Sequence, residues 1–479
     1  MTILPLNPAD NASPDALAAF LRECQAAAVR AGRPRLVSIS VAVPALDPLA
    51  VLESIFEPAE PHFYVERPSA TTAIAGAEVA LAFEATGPDR FAAVQAWVRG
   101  VLDDAIAVGD VQAPFGGPHF FGAFAFAAAT EPGEPFPAAF VFVPRWQVGL
   151  AGATTTAVAN LVVTPDAPLE PLVERVWRAH RKFRNFDYGA GRDPTAGADG
   201  SRPVDATEGV TRREVGDYRG AVRAALADIA VGELRKVVLA RAQEIVAPRG
   251  FHPLRMLNGL RERFPDCYAF SVSRGAATSF IGASPERLVR VNAGRLETEA
   301  LAGSAPRGAS ATDDAAMAAA LLRSDKDLRE QREVLEDIIA RLERLGCSPT
   351  YTPVPQVRRL ANVQHLLTSI SAPLPPGLGL LEVVGAMHPT PAVGGQPREA
   401  ALPRIRTLEG FPRGLYAGAL GWINARGDGE FFVGIRSALV SGPQARVYAG
   451  AGIVAGSDPE KEFAETELKF RAMLDAFRI

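Results

Sequence analysis

The sequence predicts an α/β protein of the α+β kind, and three observations carry that expectation. Segments with helical periodicity are interspersed with short apolar, strand-like runs. Several of those runs follow one another with no helix between them, which argues against a TIM barrel and against a simple Rossmann sheet. No fixed-period repeat interrupts the pattern. The 479 residues suffice for two or three average domains or for one large one, and 48% hydrophobic residues allow a large core.

Taken in order, residues 15–30 read as a helix with Leu17, Phe20, Leu21 and Cys24 on one side. Residues 139–143 read as a strand. Residues 188–203 are rich in Gly, Ala, Asp and Pro and read as a flexible loop or linker. That segment divides an N-terminal part, 1–187, from a C-terminal part, 211–479, with 188–210 between them. A helix is expected over 213–230, where Val215, Tyr218, Val222, Ala225 and Ile229 recur at helical spacing. Residues 236–240 form a buried type of strand, and 270–273 and 279–282 two more. A charged helix over 325–345 carries Val334, Ile338 and Leu342 on one stripe, and strands are expected at 430–436 and 445–449. The last apolar run ends in Gly450-Ala451-Gly452, and a turn at Ser457-Asp458-Pro459 opens a final helix. On that helix Glu462, Glu465 and Lys469 share one face, with Phe463, Phe470, Leu474 and Phe477 on an apolar one.

Composition excludes several classes. The net charge is −4 with a pI of about 6.0 and no long basic block, so nucleic acid is not an expected partner. Three cysteines, Cys24, Cys267 and Cys347, lie far apart, which argues against a disulfide framework or a Cys-based zinc site and fits a reducing cytoplasm. The N-terminus lacks the basic start and apolar centre of a signal peptide, and no uncharged apolar stretch reaches the about 18 residues of a membrane span. With six histidines and no His-x-x-x-His pair, zinc is not expected.

Several constellations could carry chemistry, each with a plain structural alternative. Small residues at Gly450 and Gly452 let a ligand approach backbone amides, and amides near paired carboxylates suit an anionic substrate clamped through Mg²⁺. The alternative is a solvated charged face on an amphipathic helix. The Gly450-x-Gly452-x-x-x-Gly456 spacing has one residue too many for a dinucleotide loop, and no acidic residue of a βαβ unit follows. Lys236 opens an apolar strand, as a desolvated base or as a lysine snorkelling from a strand end. Glu286 follows Ser284-Pro285, as a rigidly held acid or as the exposed end of a turn. Glu330 lies among many charges and by itself reads as solvent-facing. Arg436 ends an apolar strand, where its fork suits a ligand carboxylate or a structural salt bridge. His365 and His388 could each be satisfied core histidines.

Six segments, taken together and in order, identify a family. Lys236-Val-Val-Leu-Ala-Arg241, Gly282-Ala-Ser-Pro-Glu-Arg287, Glu297-Thr-Glu-Ala-Leu-Ala-Gly-Ser304, Ser324-Asp-Lys-Asp327, His388-Pro-Thr-Pro-Ala392 and the terminal Gly-Ala-Gly…Glu-x-x-Glu-Thr region resemble the chorismate-utilising enzymes, the anthranilate synthase component I-like family. The resemblance covers roughly residues 210–479 and is most similar to the isochorismate synthase subgroup. Phe63-Tyr-Val-Glu-Arg-Pro68, Phe121-Gly-Ala-Phe-Ala-Phe126 and Phe140-Val-Phe-Val-Pro144 are similar to the N-terminal part of its long forms.

The resemblance implies a single large fold of two big, mainly antiparallel sheets packed together with helices outside. It implies an isomerase that uses Mg²⁺, in which water attacks C2 of chorismate while the C4 hydroxyl leaves. By position, Lys236 matches the base and Glu286 the acid. Glu330 and Glu465 match metal ligands, with Glu462 in support. Tyr416 and Arg436 match the holders of the enolpyruvyl carboxylate, Gly450 and Gly452 the amide donors near the ring carboxylate, and His365 and Lys469 further pocket residues. Aminodeoxychorismate synthases often carry a lysine where Ala302 stands, and anthranilate synthases usually lack one at the place of Lys236. Both differences favour water over ammonia, so no glutaminase subunit is expected. One departure is Gln331, followed by Arg332, where the family often has a histidine after the glutamate; a different helix surface is expected there. The alternatives are a salicylate synthase, which goes on to eliminate pyruvate, and a non-catalytic chorismate-binding homologue. Menaquinone and siderophore biosynthesis both stay open as destinations.

Overall fold

The structure is a computed structural model that describes all residues except 5–12, 56–58, 185–208, 249, 362 and 478–479. Nearly all of the expected linker therefore lies outside the described residues. Strand Ala139–Ala151 organises the rest. Along one edge it pairs with Thr72–Ala85. Along the other it pairs first with His119–Phe124 and then with Thr154–Val163. One strand thus belongs to two sheets.

The first sheet runs from Arg35–Val43 through Thr154–Val163, Ala139–Ala151, Thr72–Ala85, Pro61–Arg67 and Tyr268–Gly275. It continues through Thr278–Ser284, Ser437–Ser441, Gln444–Val454 and Lys236–Val246 to Thr211–Val215. The second runs from His119–Phe124 through Ala419–Asn424, Gly429–Val433, Arg287–Asn292 and Arg295–Pro306 to Val363–Pro373. All these pairings are antiparallel; Ile106–Gly109 adds parallel pairs with Arg35–Val43 and Thr2–Leu4. The sheets face each other through aromatic side chains. Phe63 stacks on Phe121 at 4.7 Å, and Tyr268 on Phe432 at 5.1 Å. Both sheets contain strands from both sides of the 188–210 segment, joined where Pro61–Arg67 pairs with Tyr268–Gly275 and where His119–Phe124 pairs with Ala419–Asn424. The mixed, mainly antiparallel architecture expected from the sequence is the one found.

Three element boundaries differ from expectation. Residues 213–230 divide into strand Thr211–Val215 and helix Tyr218–Ala230. Gly216 has a left-handed φ of 79°, and the Asp217 carboxylate accepts from Gly220 N at 2.9 Å, capping a helix that starts later. The strand expected over 430–436 stops at Val433, and Arg436 takes a left-handed φ of 49°. Its carbonyl accepts from Ala283 N at 3.0 Å and occupies space that a side chain on Gly282 would fill, 2.6 Å from an added Cβ. The last strand runs Gln444–Val454, so Gly450 and Gly452 lie inside it and do not terminate it.

Strand Lys236–Val246 needs partners on both edges. Gln444–Val454 pairs with its whole length, from Lys236 opposite Val454 to Val246 opposite Gln444. On the other edge Gly395–Gln396 covers residues 236–237 and Thr211–Val215 covers 242–246. Side chains and a loop close the gap between. Val238 N donates to Gly394 O at 2.7 Å, Ala240 N donates to Glu409 Oε1 at 2.7 Å, and Arg413 Nη2 donates to Val238 O at 2.7 Å. Glu409 and Arg413 are themselves an ion pair one helical turn apart, with side chains 1% and 3% exposed. Helix Pro459–Leu474 covers this sheet from outside, capped by Asp458, which accepts from Glu460 N and Lys461 N at 3.0 Å each. Among the described residues no helix is long and apolar enough to cross a membrane.

Removing one member of a buried pair leaves the other charge uncompensated, at about 3–5 kcal/mol. Glu409→Ala should therefore lower the unfolding free energy from urea titration by that amount, seen as a lower midpoint at an unchanged m-value. A wild-type midpoint would show that the pair does not brace the strand.

Candidate active site

One end of the Lys236–Val246 and Gln444–Val454 ladder opens into a cavity of about 260 Å³. Glu286, Glu330, His365, Tyr416, Arg436, Gly450, Gly452, Glu462, Glu465 and Lys469 all line it. Lys236 is the one expected site residue set behind the wall. It is 1% exposed, and its Nζ donates to Glu330 Oε1 at 2.7 Å. The lysine does not snorkel to solvent, and Glu330, expected among solvated charges, points inward.

The glycines are needed for clearance. A Cβ on Gly452 would lie 3.2 Å from both Lys236 Cε and Glu330 Oε1, and one on Gly450 would lie 2.8 Å from Tyr416 Oη. Strand Ser437–Ser441 ends its pairing at Tyr448, so among the described residues the next residues of Gln444–Val454 have no strand on that edge. A ligand could pair with backbone there. Lys469 Nζ already donates to Gly450 O at 2.7 Å. Tyr416 stacks on Tyr448 at 5.0 Å, and burial pushes its phenol up to about 12, so it keeps its hydrogen at neutral pH.

Glu286 sits in a fixed turn. Its amide donates to Ser284 Oγ at 3.3 Å, and its carbonyl accepts from Val433 N at 3.1 Å. The side chain is buried, contrary to the exposed-turn alternative. Burial, and then the charge of Glu299, push its carboxyl up to about 8 against the pull of Lys236 and Arg436. Arg436 lines the cavity with no carboxylate partner among the described residues, so the structural salt bridge is not formed. His365 Nδ1 lies 2.9 Å from Ser304 Oγ and 3.2 Å from Gly303 O. A carbonyl only accepts, so that bond places the hydrogen on Nδ1 and leaves the buried Nε2, which has no partner among the described residues, as an acceptor. Burial, then Arg436 and Lys469, hold this imidazole neutral, down to about 3. His388 lies outside the cavity, packed against Phe91 and Phe126.

Each of the three acidic residues nearest Lys236, Lys326 and Lys469 has a lysine of its own. Lys236 holds Glu330, Lys469 holds Glu465 at 2.7 Å, and Lys326 lies 4.0 Å from Glu462. Burial raises Glu462, and Glu465 beside it adds to the rise. Burial would raise Glu465 too, but its ion pair with Lys469 outweighs this and lowers it. Among the described residues no three His, Cys, Asp or Glu side chains converge as a ready-made metal cage. The donor chemistry nonetheless fits a hard cation: Glu330, Glu462 and Glu465 line one cavity, the first and last hydrogen-bonded to a lysine and Glu462 4.0 Å from one.

Two residues here escaped sequence reasoning. Lys326 lies four residues before Glu330 on helix Asp325–Arg344, and that spacing was the available signal. Arg241 is five positions along the strand from Lys236 and so faces the opposite side of the sheet. It donates to Thr466 Oγ1 at 2.8 Å and Glu214 Oε1 at 2.6 Å and lies 3.6 Å over Phe463, clamping the Pro459–Leu474 helix to the strand. Gln331, expected to change a helix surface, is buried and donates to Thr368 Oγ1 at 2.7 Å.

The pattern of the family described as chorismate binding enzyme matches residues 20–478. The chain belongs to that family. It is 36% identical over 448 residues to the salicylate biosynthesis isochorismate synthase of Pseudomonas aeruginosa, covering 93% of this chain and 90% of that one. It is 31% identical to isochorismate synthase MenF of Bacillus subtilis, over 75% of this chain and 74% of that one. Among solved structures, the menaquinone-specific isochorismate synthase MenF of Escherichia coli superposes with a TM-score of 0.74 at 27% identity, covering 95% of this chain and 99% of that one. The family expected from the motifs is thus the family found.

A carboxyl raised from 4.5 to about 8 by the fold makes stability fall as pH rises between those values, because only the unfolded chain ionises there. Glu286→Gln cannot ionise. Its melting temperature relative to wild type should therefore rise from pH 5 to pH 8 in differential scanning fluorimetry. A pH-independent difference would mean that Glu286 is not held protonated.

Proposed function

We propose that this chain is an isochorismate synthase, which adds water at C2 of chorismate and releases the C4 hydroxyl. The observation that carries the reading is Glu286, a buried carboxyl at about 8 in the same cavity as Glu330, the partner of Lys236. The reaction needs a base for water and an acid for the leaving hydroxyl. In its neutral amine form, with the ion pair to Glu330 relaxed, Lys236 Nζ takes a proton from the attacking water as its oxygen bonds to C2. Glu286 gives its proton to the C4 oxygen, which departs as water while the ring double bonds shift. Arg436 and the Tyr416 hydroxyl receive one substrate carboxylate, and Lys469 with the backbone at Gly450 and Gly452 the other. His365 Nε2 accepts a hydrogen bond from a substrate hydroxyl or from the attacking water.

Glu330, Glu462 and Glu465 are the residues that would hold Mg²⁺. When bound, the cation offsets the charge of a substrate carboxylate. Water as the nucleophile requires no glutaminase partner. Support comes from the family membership, from near-full-length similarity to isochorismate synthases and from the donor set of the cavity.

The test is product analysis with chorismate and Mg²⁺. Isochorismate should accumulate without pyruvate; equimolar pyruvate and salicylate would show a salicylate synthase, and an aminated product under excess ammonium would refute water as the nucleophile. EDTA should abolish turnover and Mg²⁺ restore it. Lys236→Ala and Glu286→Gln should each lower kcat by about 100- to 10,000-fold while remaining folded. An acid that ionises at about 8 is competent below that pH, so kcat should fall as pH rises through about 8. A flat alkaline limb would remove Glu286 from the acid role.

A further inference from the structure

The three lysines that hold the proposed cation ligands are not equivalent. Lys236 is buried and donates to Glu330 at 2.7 Å. Lys469 is fixed twice, by Glu465 Oε1 and by Gly450 O, at 2.7 Å each. The Lys326 side chain is 54% exposed, and its Nζ is 4.0 Å from Glu462 Oε1, too far for a hydrogen bond. It also sits in the first turn of helix Asp325–Arg344, where the partial positive charge of the helix end disfavours a cation. Glu462, by contrast, has a side chain only 5% exposed. A buried carboxylate beside a second one requires compensation, and besides Ser457 and Lys469 it comes here from Lys326, the lysine that is held least.

We propose that Lys326 is a displaceable counter-ion of the cation site, which balances Glu462 until a hard divalent cation takes that carboxylate and then swings into solvent at the cavity wall. The proposal rests on the reading of Glu330, Glu462 and Glu465 as cation ligands. Lys326 competes with the cation, so its charge weakens binding of the cation alone. Once displaced, it remains at the cavity's edge, where positive charge favours a dianionic substrate. Cation and substrate then bind cooperatively through this residue, with the same coupling in either direction.

The test is Mn²⁺ binding to the full chain without substrate, read from the electron paramagnetic resonance signal of the free ion. Lys326→Gln should bind Mn²⁺ about 2- to 5-fold more tightly, the range expected for a half-exposed pair. Lys326→Arg should keep the wild-type affinity. Lys461→Gln removes the same charge next to Glu462 in sequence but outside the cavity lining, and should change nothing. In a Glu462→Gln background the effect of Lys326→Gln should vanish. Equal affinity in wild type and Lys326→Gln, or a gain that persists with Glu462→Gln, overturns the proposal. Failure of the underlying cation reading looks different: wild type binds no Mn²⁺, or Glu330→Gln and Glu465→Gln bind it as wild type does, and either result also ends this proposal.

Discussion

The pairing of Lys236–Val246 with Gln444–Val454 is the constraint on which the site depends. Its register sets Val238 opposite Gly452 and Ala240 opposite Gly450, so the bare glycine faces leave room for Lys236, Glu330 and Tyr416. Alternation along the same strand turns Lys236 and Arg241 to opposite faces. One strand thereby places a lysine behind the cavity wall and an arginine that anchors the helix bearing Glu462, Glu465 and Lys469. A slip of one residue would exchange the two faces and undo both. The buried Glu409–Arg413 pair guards against this by completing the strand's open edge at Val238 and Ala240.

The cavity holds several carboxyl groups in a small volume, and the fold gives them different states. Glu286 has no lysine at hydrogen-bond distance among the described residues and lies near Glu299, so burial wins and the proton stays. Glu465 has Lys469 one turn away at 2.7 Å and stays ionised. Environments that push like groups apart divide proton donor from charged ligand, and that division makes acid–base roles assignable in a site built from glutamates. Arg436 and the neutral His365 complete the set, one as a cation without a carboxylate partner among the described residues, the other as a bare acceptor.

The N-terminal part adds none of the proposed catalytic groups, yet the site rests on it. Strand Ala139–Ala151 is shared by both sheets, and Pro61–Arg67 pairs with Tyr268–Gly275, which in turn pairs with Thr278–Ser284, the strand that leads into Glu286's turn. Phe126 lies 4.1 Å beneath the Arg413 guanidinium, tying the N-terminal part to the pair that braces the Lys236 strand. Phe63, Phe121, Phe270 and Phe432 fill the space between the sheets, where a close-packed interior transmits position.

Short-range pattern was enough for much of this. Helix Asp325–Arg344, the first half (236–240) of strand Lys236–Val246 and the shared face of Glu462, Glu465 and Lys469 follow from spacing alone, because local backbone geometry fixes which side chains lie together. The motif set identified the family for the same reason, since each segment is contiguous. Contacts distant in sequence were not legible there. Glu330 read as one charge among many until Lys236, 94 residues away, proved to be its partner. Arg436 read as a strand end because nothing in its own segment reveals the Ala283 amide that holds its carbonyl in a left-handed turn. Lys326 and Arg241 were passed over because their meaning lies on other elements. The sequence by itself determined elements, family and the candidate residues; tertiary structure decided burial, partner and protonation, because those depend on what the fold brings within a few ångströms and not on neighbours along the chain.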